Sequence, residues 1–508
     1  MRYTNPVIRG FFPDPSVCQA NGKYYLVASS FQYFPGVPLF ESEDLVNWNQ
    51  IGYVLTRKSQ VMLDKIASSG GVFAPTIRYH NGRFYMVTTN DTTHENFYVY
   101  TDDIYGEWSD PITVEQNGID PSLLFDGDHV YFMSNGSDDE GQWGVVQCEI
   151  DIATGKKISP CRRIWSGTGG RFLESPHMYH IGDTYYLTAA EGGTEYGHMI
   201  TYAKSDSVWG PFESYPDNPV LTNRNKAPYV IQGVGHGDLI QDAYGDWHII
   251  CLGFRQINIW RQYHILGREV FLAPVTFRED GWFTVGRDGT MDESYETKGD
   301  FLQTPKERYT LENTKWNVDW CYMRHPALEK YELSETKAVL HGTNITLNQV
   351  DSPTFLGIRQ RDFNMELEAE VSVDAGEAGV TVYSCENEHY DLAIRRSPEA
   401  EGFEAILRLN IGGVHYIQGV QNLPGNKACL IIHGNNDNYS FSITPITEDG
   451  GLMEEVMLGS GQTKYVSKEV SEGFTGVLLG MYAVGDNTAE FTRFDVAYNE
   501  KREHSLTE

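Results

Sequence analysis

The chain contains no apolar run close to the ~18 residues that a membrane-spanning helix requires; its longest are about the length of Val477 to Val484. It has no Cys-x-x-Cys pair either. Cys18, Cys148, Cys161, Cys251, Cys321, Cys385 and Cys429 are scattered and odd in number, which suits a reducing compartment better than a disulfide framework. Basic side chains are scarce: 39 Lys and Arg face 70 Asp and Glu, a formal charge of -31. That balance argues against nucleic-acid phosphate as a partner. Helical periodicity is missing as well, with Asp44-Leu45-Val46-Asn47-Trp48 the one candidate for a helical turn. The opening Met1-Arg2-Tyr3-Thr4-Asn5-Pro6 lacks the apolar core of a signal peptide. The expectation is a cytoplasmic protein with no membrane partner.

What is present is aromatic and strand-like. The 31 Tyr, 24 Phe and 10 Trp suit β-rich cores. At 508 residues the chain exceeds one ordinary domain. A pattern of turn-like pair, apolar strand, polar turn and aromatic strand recurs five times. It begins at Asp14-Pro15-Ser16, Ala74-Pro75-Thr76, Asp120-Pro121-Ser122, Ser175-Pro176-His177 and Gly237-Asp238-Leu239. The polar turns include Asn21-Gly22 and Asn81-Gly82, pairs that favour tight hairpins because both residues tolerate positive φ. Intervals of roughly 45–60 residues fit propeller blades of four strands each. Ser42-x-Asp44…Trp48, Thr101-Asp102…Trp108 and Ser205-Asp206…Trp209 form a second repeat, read as outer turns with a Trp between blades. Residues from about Arg287 to Leu311 read as a connector. Beyond it, alternating segments such as Met365 to Val371, Ala378 to Tyr383 and Ala405 to Leu409 suggest a β-sandwich. The predicted fold class is all-β: a five-bladed β-propeller over residues 1–300, then a jelly-roll-like β-sandwich over 301–508.

Inner strands of a propeller line one funnel, so equivalent positions converge. In the column of Asp14 stand Ala74, Asp120, Ser175 and Gly237, with Glu174 and His236 one residue upstream of the last two. Three carboxylates meeting at one mouth are costly to bury. Glycoside hydrolysis supplies a reason, since it needs a carboxylic acid for the leaving oxygen and a carboxylate to activate water or attack carbon. A third carboxylate beside the acid keeps it protonated. Taken singly, an Asp-Pro before a strand is a turn signal, His236 reads as a structural residue, Arg268 as a strand residue paired with Glu269, and Phe31 as core.

At these residues the chain resembles glycoside hydrolase family 43. The shared elements include Gly10-Phe11-Phe12-Pro13-Asp14-Pro15-Ser16, Phe34-Pro35-Gly36-Val37-Pro38, Ser69 to Pro75, Gly118-Ile119-Asp120, Glu174-Ser175-Pro176-His177, Gly235-His236-Gly237-Asp238 and Leu266-Gly267-Arg268-Glu269. The resemblance implies an inverting mechanism with Asp14 as base, Glu174 as acid and Asp120 tuning Glu174. It also implies that Arg268 contacts the sugar, that Phe31 walls the terminal-sugar pocket, and that His236 ligates calcium or holds water. Phe73 stands where xylosidase-type relatives often carry Trp. The C-terminal segment, including Phe355 to Gln360 and Glu377 to Val380, resembles that of the α-L-arabinofuranosidase and β-xylosidase branch, where it closes one side of the pocket and favours exo attack.

The expected activity is therefore release of terminal α-L-arabinofuranosyl units from arabinose- and xylose-containing oligosaccharides, with β-D-xylosidase activity as the second or the main one. No cofactor is needed for that chemistry, and a structural calcium near His236 is the metal candidate. Two other readings are a retaining fructosidase-type propeller, whose Asn-Asp-Pro-Asn-Gly opening is absent, and a non-catalytic sugar-binding propeller.

Overall fold

The computed structural model describes residues 1–398 and 401–498. The chain divides into two compact units. The first takes residues 1–63, 70–262 and 268–304; the second takes 64–69, 263–267 and the chain from Pro305 onward. Among the described residues helix is confined to single turns, the longest being Thr463–Val466 and Lys468–Ser471. The segment at Asp44 is not one of them. Leu45 has φ 66°, outside the helical range, and the Asp44 carboxylate caps the amides of Val46 and Asn47 at 2.9 and 2.7 Å.

The first unit holds, among its described residues, five antiparallel sheets of four strands. Their first strands are Ser16–Ala20, Thr76–His80, Ile119–Asp126, Glu174–Ile181 and Ile231–Gln241. These five strands touch in cyclic order, and the fifth touches the first. Each sheet is a meander of strands in chain order, and the first hairpins of the first two sheets close in tight turns. Asn21 and Gly22 (φ 52° and 78°) and Asn81 and Gly82 (φ 49° and 84°) take the positive φ that two-residue hairpins demand. The N-terminal segment lies on the fifth sheet, where Tyr3 and Asn5 donate to the Leu272 carbonyl at 3.1 and 2.9 Å. Neighbouring sheets pack through aromatic side chains, as where Trp209 meets Tyr131 edge-on at 5.7 Å.

The second unit is a β-sandwich. One sheet has six strands, with Glu377–Cys385, Glu388–Arg396 and Phe403–Ile411 side by side; the other has eight, with Met365–Val373 near its centre. In Met365–Val373 buried and half-buried residues alternate throughout, the signature of a strand with one face in a core. The stretch expected as a bare connector contains two short strands, Ser294–Glu296 and Arg308–Thr310. They were hidden because three residues show no periodicity.

Candidate active site

The first strands of the sheets begin in an unusual way. Asp14, Asp120, Ser175 and His236 all have left-handed backbone, with φ 57°, 52°, 57° and 48°. Pairing with the second strand slips around three of them, between Ile119 and Ser122, between Glu174 and His177, and between Gly235 and Gly237. Such bulges re-aim a side chain at the end of a strand. This register corrects the column read from sequence: His236, not Gly237, is the fifth-sheet counterpart of Asp14.

Three sheets thus deliver their acids to one place. Asp14 accepts from Arg268 Nη1 at 2.8 Å and from Ser29 Oγ at 2.5 Å. His236 Nδ1 lies 3.8 Å from Asp14 Oδ1 and 4.0 Å from Asp120 Oδ2. Asp120 accepts the amide of Ser175 at 3.2 Å, the residue next to Glu174. Glu174 Oε1 stands 3.3 Å from His198 Nε2. The His198 Nδ1 donates to the Gly233 carbonyl at 3.2 Å.

The charges are unequal in setting. Burial pushes the Asp14 carboxyl up, but Arg268, His236 and Ser29 outweigh it and hold the carboxyl below its ordinary value. Asp120 goes the other way: burial, then the neighbouring Glu174 and Asp14, raise it well above the carboxylate range. Burial lowers His236 to about 3, leaving it a neutral ring. Side-chain exposure climbs from 7 % at Asp14 through 11 % at Asp120 to 18 % at Glu174, so Glu174 is the most solvent-open of the three. Phe31, itself at φ 51°, packs against Phe11 and Phe73 at 5.9 and 5.7 Å, and the Arg268 guanidinium lies 5.7 Å from its ring centre. The predicted residues Asp14, Asp120, Glu174, Phe31, Phe73, Arg268 and His236 therefore form one linked set.

Sequence reasoning missed the layer beneath. Two residues after the left-handed positions, Asp238 of the fifth sheet accepts from Ser16 at 2.6 Å, from Tyr179 at 2.6 Å and from Arg78 at 2.8 Å, while Arg78 Nη2 meets His177 Nδ1 at 3.0 Å. Four sheets are pinned by this one carboxylate and guanidinium. It also missed Ser29, Thr194 and His198, whose loops carry no repeat. As for a metal, no group of three His, Cys, Asp or Glu among the described residues could hold one; at His236 the nearby oxygens are those of Asp14 and Asp120.

Paired carboxylates held in opposite protonation preferences, with a guanidinium and an aromatic wall beside them, define a hydrolase of the acid–base type. Residues 3–283 match the glycosyl hydrolases family 43, and residues 308–498 match the beta xylosidase C-terminal concanavalin A-like domain. The chain belongs to glycosyl hydrolases family 43. It is 39 % identical to a non-reducing end α-L-arabinofuranosidase of Bacteroides ovatus, over 97 % of this chain and 94 % of that one. It is 32 % identical to a xylosidase/arabinosidase of Butyrivibrio fibrisolvens, over 97 % and 98 %. Among solved structures it resembles the Bacteroides ovatus xyloglucan PUL GH43B at TM-score 0.91 and 37 % identity, covering 98 % of this chain and 100 % of that one. A xylan β-1,4-xylosidase of Bacillus halodurans is similar at TM-score 0.89 and 28 % identity, over 97 % and 100 %.

Proposed function

We propose that this glycosidase removes terminal α-L-arabinofuranosyl units from arabinose- and xylose-containing oligosaccharides, with inversion, and hydrolyses β-D-xylosides as a second activity. The observation that carries the reading is the exposure order of the acids. A terminal sugar enters the pocket and its leaving group points out, so the residue that protonates the leaving oxygen must sit nearer the mouth than the base. Glu174 is the most exposed of the three and Asp14 the least. Asp14 takes a proton from water as the water oxygen bonds to the anomeric carbon; Glu174 gives its proton to the departing oxygen. Asp120, raised by burial and by the Glu174 and Asp14 charges, lies beside the acid and orients substrate. Arg268 holds Asp14 and the sugar, and Phe31 and Phe73 wall the pocket.

The relatives' names support both sugars, one being a non-reducing end arabinofuranosidase and another a xylosidase/arabinosidase. The cyclic contact of five first strands supports a five-bladed propeller, with a domain change near residue 300. A calcium ion at His236 would draw most of its ligands from water and carries no step here. Free thiols at all seven cysteines support a cytoplasmic setting. The p-nitrophenyl α-L-arabinofuranoside is expected to be cleaved with higher kcat/KM than the β-D-xyloside, and Asp14→Asn or Glu174→Gln to cost about 10²–10⁴-fold with folding intact. Faster xyloside cleavage reverses the order of activities; full activity in both variants overturns the assignment.

A further inference from the structure

The loop that leads into Glu174 is built with more care than a connection needs. Glu191 is fully buried, and its carboxylate accepts from the Thr168 amide at 2.8 Å, the Gly170 amide at 2.6 Å and the Thr201 hydroxyl at 2.8 Å. A Cβ at Gly170 would stand 2.6 Å from Glu191 Oε2, so the loop closes on that carboxylate only with glycine there. The Gly192 amide donates to the Arg171 carbonyl at 2.7 Å, tying the loop to the hairpin that carries Thr194, and Thr194 in turn accepts from Arg268 at 3.0 Å.

At the tip of this clamped loop stands Phe172, two residues before Glu174. It is 59 % exposed and has φ 51°, a left-handed conformation strained for a bulky residue. Burial repays neither the strain nor the exposure. The ring is nonetheless held: Arg171 lies over it at 4.6 Å, and it packs on Gly193, where a Cβ would come within 3.1 Å of the ring. Strain kept at a site by surrounding bonds points to use.

We propose that Phe172 is the platform for the leaving-group sugar, stacking on the pyranose that Glu174 releases and so setting preference for oligosaccharide over simple glycosides. Glu174 protonates the leaving oxygen, so the departing sugar lies beside Glu174, and Phe172 is two residues from it in the chain. A flat apolar ring meets the C–H face of a neutral sugar whatever its hydroxyl pattern, so the platform is tolerant of the unit beyond the cleaved bond. The inference rests on Glu174 being the acid.

The test compares kcat/KM on a xylotriose bearing a terminal arabinofuranosyl unit with kcat/KM on methyl α-L-arabinofuranoside, using the full chain. Phe172→Ala is expected to lower the oligosaccharide-to-methyl-glycoside ratio about tenfold, mainly through KM, and Phe172→Trp to keep it within twofold of the parent. A Phe172→Ala ratio within twofold of the parent, whether both substrates fall or neither does, overturns the platform. A Glu174→Gln chain that keeps full activity on both substrates overturns the assignment of Glu174, and the platform with it.

Discussion

At the scale of single residues, the site works by giving like groups unlike surroundings. Asp14 and Asp120 are both aspartates at or just before the starts of first strands, but only Asp14 has the Arg268 guanidinium against it, whereas Asp120 looks onto Glu174 and Asp14. The two therefore bear on stability with opposite sign. Asp14 is lowered when folded, so its contribution is present above the ordinary value of 3.8 and lost as pH falls through the folded value. Asp120 is raised when folded, so its contribution is present below 3.8 and lost as pH rises through the folded value. Asp120→Asn is accordingly expected to raise Tm at pH 8 while abolishing most activity, and to bring little gain at pH 3.5. Thermal unfolding across pH checks this; a Tm gain that is larger at pH 3.5 than at pH 8 would contradict the assignment.

At the scale of strands and sheets, left-handed entry residues lift side chains into the mouth while the residues two places on knit the hub. Arg78 and Asp238 are 17 % and 0 % exposed, and breaking such a pair from one side leaves a buried charge, which costs about 3–5 kcal/mol. Asp238→Asn is expected to destabilise the chain by that order in urea unfolding, with Arg78→Met and Asp238→Leu together costing less than the single change. A single variant as stable as the parent would mean that the pair does not hold the sheets. This layer also marks where sequence ceased to be informative. Asp14 and Asp120 stood out because each heads an Asp-Pro-Ser before an apolar strand, and Glu174 because it adjoins a third such entry. His236 was placed one residue out of column because a bulge inserts there without changing composition. Arg78 and Asp238 are 160 positions apart, and nothing local in either strand names the other. Glu191 and His198 lie in and beside the fourth sheet's second hairpin, where no repeat exists to flag them. Three sandwich strands, by contrast, are legible from alternation around Met365, Ala378 and Ala405.

At the scale of the whole molecule, the first unit brings together groups that must stay neutral or paired, and acid undoes this. Burial lowers His177 to about 4 and His236 to about 3, from 6.5. The unfolded chain takes up both protons first, so stability is present above pH 6.5 and falls as pH drops below it, at up to about 2.7 kcal/mol per pH unit for two histidines. Urea midpoints between pH 7 and 4.5 should decline accordingly; a flat profile would mean that one or both rings charge in the folded state. Under the proposed mechanism the attacking water stands beside Asp14, on the far side of the sugar from Glu174. The most direct measurement is proton NMR of the first sugar released from an α-L-arabinofuranoside, read before mutarotation. The β-anomer of arabinose appearing first is the predicted result, and the α-anomer first would contradict the account.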